Sequence, residues 1–77
     1  MREITGYEDK NGLPIVEGDV LRNEDDEICT VGQCNHGWMP FFFGKEWEQP
    51  RIQVIGSKYT AAGRRILDEW HQSYRTH

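Results

Sequence analysis

Short apolar runs, each closed by turn residues, recur along the chain before residue 57 and predict short β-strands. The runs 20–22 and 28–31 flank the acidic segment 23–27, which has the polar composition of a turn. This arrangement predicts a β-hairpin whose two arms are the flanking runs.

Two further strands are predicted at 38–43 and 51–55, each of which ends at a glycine. Pro40 has no N–H to donate to a neighbouring strand, so we expect the third strand to lie at an edge or to carry a bulge. This strand is apolar on both faces, which is unusual for a small sheet with one solvated side. We therefore expect another element of the chain to cover one of its faces.

After Thr60 the apolar period changes from that of a strand to that of a helix, and a helix is predicted over 60–75. Its apolar positions share one side, which we expect to pack on the sheet: Ile66, Leu67, Trp70 and Tyr74. The polar positions are expected to face outward: Arg64, Arg65, Asp68, Glu69 and Gln72. Gly63 is expected to weaken the first turn by about 1 kcal/mol relative to alanine.

Together these elements predict a mostly β fold in a single domain, 1–77. We expect a small Src-homology-3-like β-barrel or half-barrel of four to five short antiparallel strands plus one C-terminal helix. Residues 1–14 form a turn-rich entry, 15–56 hold the barrel strands, and 60–75 form the helix.

Two turns are predicted before the first hairpin. Asn11 and Gly12 tolerate the positive φ that tight turns need. Gly18 provides similar freedom, and the Asp19 side chain can accept a hydrogen bond from a nearby backbone N–H. We interpret these four residues as structural turns that set strand register.

Charge is distributed unevenly along the 77 residues, whose formal net charge is −4. Residues 1–56 hold eleven acidic and five basic residues, a balance of −6, whereas 57–77 hold four basic and two acidic residues. An acidic body argues against a general nucleic-acid binder, which usually presents a basic surface.

No run approaches the roughly 20 apolar residues of a membrane span, and the first residues lack the apolar core of a signal peptide. We therefore expect a cytoplasmic protein that does not contact membranes. Its two cysteines, Cys29 and Cys34, are too few for a secreted disulfide scaffold and are expected to be reduced thiols.

Metal-binding and catalytic signatures are weak. Four residues separate Cys29 from Cys34, and His36 follows closely, which does not match the usual zinc spacing. The acidic run lacks the alternation of a calcium loop, and the chain has no phosphate loop, dinucleotide fingerprint or nucleophile elbow. We therefore expect a protein that is not an enzyme and needs neither metal nor cofactor.

Candidate partner-binding residues fall into three groups. The aromatic group could present flat rings to a partner, and the basic and acidic groups could contribute charge. The aromatic group comprises Trp38, Phe42 and Trp47. The basic pair on the helix is Arg64 and Arg65, and the acidic turn contributes Glu24, Asp25 and Asp26. Each group also has a plain structural interpretation, as core aromatics, a solvated helix face and a solvated turn.

The residues at 5–20 read T-G-Y-E-D-K-N-G, then I-V-E-G-D-V, and those at 54–59 read V-I-G-S-K-Y. In this order and spacing they resemble the YopX family of phage and prophage proteins. The resemblance implies a phage-type origin and a small, mostly β domain of barrel type. It does not extend to the helix, and the family has no agreed biochemical activity.

The leading functional hypothesis is a small, phage-encoded, non-enzymatic interaction module that binds a bacterial host protein, or a phage protein, and modulates or inhibits it, with counter-defence as one such role. One alternative is a nucleic-acid-binding barrel that stacks bases on Trp38, Phe42 and Trp47. The other is a self-associating structural phage protein that pairs through an exposed edge strand. The oligomeric state, monomer or homodimer, stays open.

Overall fold

The computed structural model describes residues 2–75, with side chains up to residue 72. Within this range seven short strands precede a single C-terminal α-helix, as the sequence pattern predicts in outline. The strands are β1 (Ile4–Glu8), β2 (Pro14–Val16), β3 (Asp19–Arg22), β4 (Ile28–Thr30), β5 (Gly32–Cys34), β6 (Gly37–Met39) and β7 (Gln53–Ser57). Two 3₁₀ turns, Lys45–Trp47 and Gln49–Arg51, lie before β7, and the helix α1 spans Ala61–Arg75.

The strands form three small antiparallel sheets that stay open. The central sheet has the order β4-β3-β7, and the hairpins β1-β2 and β5-β6 form the other two. The mostly β class with one C-terminal helix is confirmed, but seven strands replace the four to five expected for a barrel or half-barrel, and no closed barrel forms among residues 2–75. Turns interrupt the chain so often that the strands are only three to five residues long, and their pairing is divided among three sheets.

The predicted hairpin at 20–31 is confirmed as β3-β4, in which Leu21 faces Cys29. Asn23 organises the turn between these strands. Its side-chain oxygen accepts the N–H groups of Asp25 at 2.9 Å and Glu27 at 3.0 Å. The buried Asn23 side chain thus provides hydrogen-bond partners for backbone groups in the turn, where the two strands no longer pair.

The third predicted strand is shorter than expected. The strand β6 ends at Met39, and the chain then turns, with the N–H of Phe41 donating to Trp38 O and that of Phe43 donating to Pro40 O. Pro40 cannot continue a ladder because it lacks an N–H, so the phenylalanines leave the sheet. The predicted alternation of faces across 38–43 is therefore wrong.

The core lies between the central sheet and the segment 45–52. Its buried apolar residues come from five separate parts of the chain: Ile15, Leu21, Val31, Trp47 and Ile52. Tyr7, Trp38 and Phe41 pack against this cluster while staying partly exposed. The fourth predicted strand, 51–55, is shifted to Gln53–Ser57, because a 3₁₀ turn occupies 49–51.

The helix α1 begins where the sequence pattern predicts. Thr60 caps it, since its hydroxyl oxygen accepts the Gly63 N–H at 3.0 Å. The helix packs on β7. Ile66, Leu67 and Trp70 are half-buried, and the polar positions predicted to face outward are exposed: Arg64, Arg65, Asp68, Glu69 and Gln72. The expected packing of Tyr74 falls on a side chain outside the described residues. Among residues 2–75, no helix combines the length and apolar character that crossing a bilayer requires.

Candidate functional site

The two segments that carry the family resemblance meet in space. The ring of Tyr59 lies directly over Gly18, so closely that any Cβ at position 18 would overlap its Cε2 atom. The φ of Gly18 is also +88°, a conformation that side chains disfavour. In addition, Lys58 N–H donates to Gly18 O at 2.8 Å. We call this contact between Glu17–Asp19 and Ser57–Tyr59 the motif junction.

Polar contacts close the motif junction from the amino-terminal side. The Arg2 guanidinium donates to Asp19 Oδ1 at 3.2 Å and to Ser57 Oγ at 2.9 Å. The other carboxylate oxygen of the buried Asp19 accepts the Val16 N–H at 2.9 Å. Asp19 thus holds a turn, as its place in the sequence predicts, and also joins β2 to the chain start.

A hydrogen-bonded cluster of Glu17, Lys58 and Tyr59 lies on the surface of the motif junction. The Tyr59 hydroxyl is 2.7 and 2.8 Å from the two Glu17 carboxylate oxygens, and Lys58 Nζ is 3.3 Å from one of them. The hydrogen bond from Tyr59, together with Lys58, lowers the pKa of Glu17. The same bond raises the pKa of Tyr59, because removing the phenol proton would leave two adjacent negative charges.

This coupling predicts opposite effects of two substitutions on Tyr59. Glu17→Gln should return the pKa of Tyr59 toward its ordinary value of 10.0, because the carboxylate that opposes phenolate formation is gone. Lys58→Gln should raise it further, since Lys58 favours the phenolate. Carbon NMR of the assigned Tyr59 Cζ, recorded across alkaline pH, measures the pKa of Tyr59 in both variants. An unchanged titration in Glu17→Gln would show that the hydrogen bond does not exist in solution.

Asp9 is a buried carboxylate that binds three backbone N–H groups. Its Oδ1 accepts those of Asn11 and Leu13, each at 2.9 Å, and its Oδ2 accepts that of Val54 at 3.1 Å. Burial alone would raise the pKa of Asp9, but these hydrogen bonds and the charge of Lys10 outweigh it and lower the pKa. Asp9 therefore ties the first turn to β7.

The turn that Asp9 organises contains two residues predicted to be structural. Gly12 has φ +80°, and its N–H donates to Asp9 O at 2.9 Å. The N–H of Asn11 binds the Asp9 carboxylate, as described above. Both positions therefore serve the local backbone geometry.

An aromatic patch is formed by His36, which directly precedes β6, and by Phe42 and Phe43, which follow this strand. Phe42 is 44% exposed and Phe43 is 51% exposed. Phe42 contacts both neighbours edge to face, with ring centroids 5.7 Å from His36 and 5.0 Å from Phe43. Phe42 was expected to lie in a strand over 38–43; instead it sits in the turn after Pro40, while Trp38 packs against the core.

Trp47, the third aromatic candidate, is only 5% exposed and belongs to the core cluster. From the sequence it is a binding candidate with core packing as the alternative, and its burial in the 3₁₀ turn Lys45–Trp47 favours the core interpretation. Trp47 still lines a surface groove of about 320 Å³ together with Tyr7, Phe41, Glu48, Gln49 and Pro50.

The charged candidates lie on separate surfaces. Glu24, Asp25 and Asp26 are exposed in the β3-β4 turn, where Glu24 forms an ion pair with Arg51 at 3.7 Å. Arg64 and Arg65 are exposed on α1, and Arg64 Nε donates to Lys58 O at 3.3 Å. The structure does not bring these two groups or the aromatic patch into one site.

Metal ligands do not converge among the described residues, where no group of three or more His, Cys, Asp or Glu side chains is arranged for an ion. Cys29 and Cys34 are free and half-buried. Burial raises the pKa of the Cys29 thiol, which favours its protonated, unreactive form.

Sequence reasoning missed the side-chain roles of Asp9, Glu17 and Tyr59. The local bonds of Asp9 to Asn11 and Leu13 fit a turn, but its bond to Val54 spans 45 residues and that between Tyr59 and Glu17 spans 42, so the only signal for these was their place in the motif segments. Compared with known proteins, the chain matches no family model, no curated protein and no solved structure.

Proposed function

We propose that the protein is a small, non-enzymatic interaction module of phage type that binds a bacterial protein in the cytoplasm through the aromatic patch of His36, Phe42 and Phe43. The observation that carries the proposal is the exposure of two adjacent phenylalanines at 44% and 51%. The phage origin and the bacterial partner rest on the resemblance of residues 5–20 and 54–59 to the YopX family.

Single exposed apolar residues are ordinary on protein surfaces, but adjacent exposed rings in mutual contact form a patch. Aromatic side chains supply large contact areas and are frequent anchors of protein interfaces. The backbone of this patch is held in place, because the Phe43 N–H donates to Pro40 O at 2.8 Å. Binding a partner therefore costs little conformational entropy on this side of the interface, because the backbone of the patch is already ordered.

The nucleic-acid alternative receives less support. It needs a stacking platform of Trp38, Phe42 and Trp47, yet Trp47 is buried and Trp38 packs on the core. The balance of −6 over residues 1–56 also repels a phosphate backbone.

The proposal is tested with the double variant Phe42→Ser, Phe43→Ser in capture experiments from bacterial lysate, quantified by mass spectrometry. We expect wild-type protein to retain a specific bacterial protein and the double variant to lose at least about 90% of it, since anchor residues often contribute more than 1.4 kcal/mol each. Affinity for the purified partner should fall by at least about tenfold. Both rings are exposed, so melting temperature should stay close to that of the wild type.

Leu13→Ser is the matched control, because Leu13 is 50% exposed but lies outside the patch. It should retain the partner as the wild type does. If Leu13→Ser lost as much of the partner as the double variant, or if all three proteins retained equal amounts of it, the role of the patch would be contradicted. Sedimentation that shows a dimer in the wild type and a monomer in the double variant would instead support self-association.

A further inference from the structure

The groove is lined by Tyr7, Phe41, Trp47 and Pro50 together with the polar residues Glu48 and Gln49. The Tyr7 and Phe41 rings are stacked with centroids 4.0 Å apart and planes 12° from parallel. Trp47 and Pro50 lie on the same groove, whose volume is about 320 Å³. None of the residues of the aromatic patch lines it, so the groove is a second surface.

Hydrogen bonds hold the segments that form the groove. The Gln49 side-chain oxygen accepts the Glu8 N–H at 2.9 Å and thereby ties the 3₁₀ segment to β1. Within that segment, Trp47 N–H donates to Gly44 O at 3.1 Å and Arg51 N–H donates to Glu48 O at 2.9 Å. Both walls are thus held by hydrogen bonds, which reduces the entropy lost when a ligand binds.

Glu48 is the charged residue that lines the groove. It is exposed, and none of the ion pairs between described residues involves it. The surrounding body is acidic as well, with a balance of −6 over residues 1–56. The groove therefore favours a ligand that combines apolar surface with a positive charge.

We propose that this groove binds an extended, proline-rich peptide segment that carries a basic residue, with proline rings against Tyr7, Phe41 and Pro50 and the basic side chain paired with Glu48. A polyproline II segment is already extended before binding, so docking it costs little entropy. Proline-rich segments of this kind bind aromatic-lined grooves on other domains, where they also benefit from being extended before binding. The occupant is thus a partner segment of defined chemistry, whether or not the aromatic patch binds a protein.

The test is a titration of nitrogen-labelled protein with a short synthetic peptide of alternating proline and leucine preceded by one arginine. We expect saturable chemical shift changes that include the Trp47 indole N–H and the backbone around Gln49. Pro50→Ala should weaken binding by about tenfold through loss of a ring contact. Pro14→Ala, which alters an exposed proline outside the groove, should bind as the wild type does.

Charge exchange tests the role of Glu48. Glu48→Lys should weaken binding of the arginine peptide by at least about threefold and strengthen binding of the same peptide with glutamate in place of arginine, as expected for a partly exposed charge pair. Asp25→Lys, an exposed charge reversal in the β3-β4 turn, should leave both affinities unchanged. Shift changes that never saturate, or that are equal in wild type, Pro50→Ala and Glu48→Lys, would overturn the proposal.

Discussion

Gly63→Ala is expected to destabilise the protein by about 3 kcal/mol or more, although alanine is the better helix former. A Cβ at position 63 would overlap the Ser57 carbonyl oxygen and would lie 2.5 Å from the Ser57 carbonyl carbon. These atoms belong to the backbone of β7, so no side chain can rotate away, and the helix must move off the sheet. Urea unfolding followed by circular dichroism measures the change in the free energy of unfolding.

Ala62→Gly is the matched control, because Ala62 is exposed in the same turn of the helix. It should cost about 1 kcal/mol, the usual difference in helix propensity. A Gly63→Ala protein as stable as the wild type would contradict the close packing of α1 on β7. The expectation from sequence alone, that glycine here is merely a weak helix residue, reverses in sign once the contact with Ser57 is known.

Asp9→Asn is expected to cost about 2–3 kcal/mol at neutral pH, although the side chain keeps its shape. The carboxylate accepts N–H groups at both oxygens, from Asn11 and Leu13 at one and from Val54 at the other. An amide offers a single oxygen, so its NH₂ group must face at least one of these donors and leave it unsatisfied in a buried place. Chemical unfolding of both proteins gives the difference.

The difference in the free energy of unfolding between wild type and Asp9→Asn should depend on pH. The folded-state pKa of Asp9 is lowered from 3.8, so its stabilising contribution is complete above about pH 3.8 and is lost as the pH falls through the folded value. The gap between wild type and Asp9→Asn should therefore narrow below that pH. Asp25→Asn, at an exposed position, should stay within about 0.5 kcal/mol of the wild type at each pH. A gap that is constant down to strongly acid pH would contradict the contribution of the Asp9 charge.

The candidate surfaces were predictable only in part. Phe42 is a candidate from its place in an aromatic run, and it is exposed, whereas Trp47, a single aromatic between Glu46 and Glu48, is buried. The polar neighbours of Trp47 would suggest the opposite. Exposure is decided by whether other parts of the chain cover the ring, and Trp47 belongs to a core cluster that includes residues as far away as Ile15 and Leu21.

The sequence by itself determined the features that depend on neighbours along the chain. The β3-β4 hairpin follows from apolar runs around a polar turn, and the helix start follows from the change of apolar period after Thr60. The exposed face of α1 follows from helical periodicity, since residues such as Arg65 and Gln72 fall opposite the apolar stripe.

Only the tertiary structure decided the features that join distant segments. Asp9 reaches Val54, and Tyr59 covers Gly18. The close approach of Gly63 to Ser57 spans only six residues, but it too depends on how α1 docks on β7. The tertiary structure also decided that the strands form three open sheets instead of a closed barrel, and that a groove lies between β1 and the 3₁₀ segment. These contacts depend on which surfaces meet when the chain collapses, and local propensity carries no information about partners more than 40 residues away.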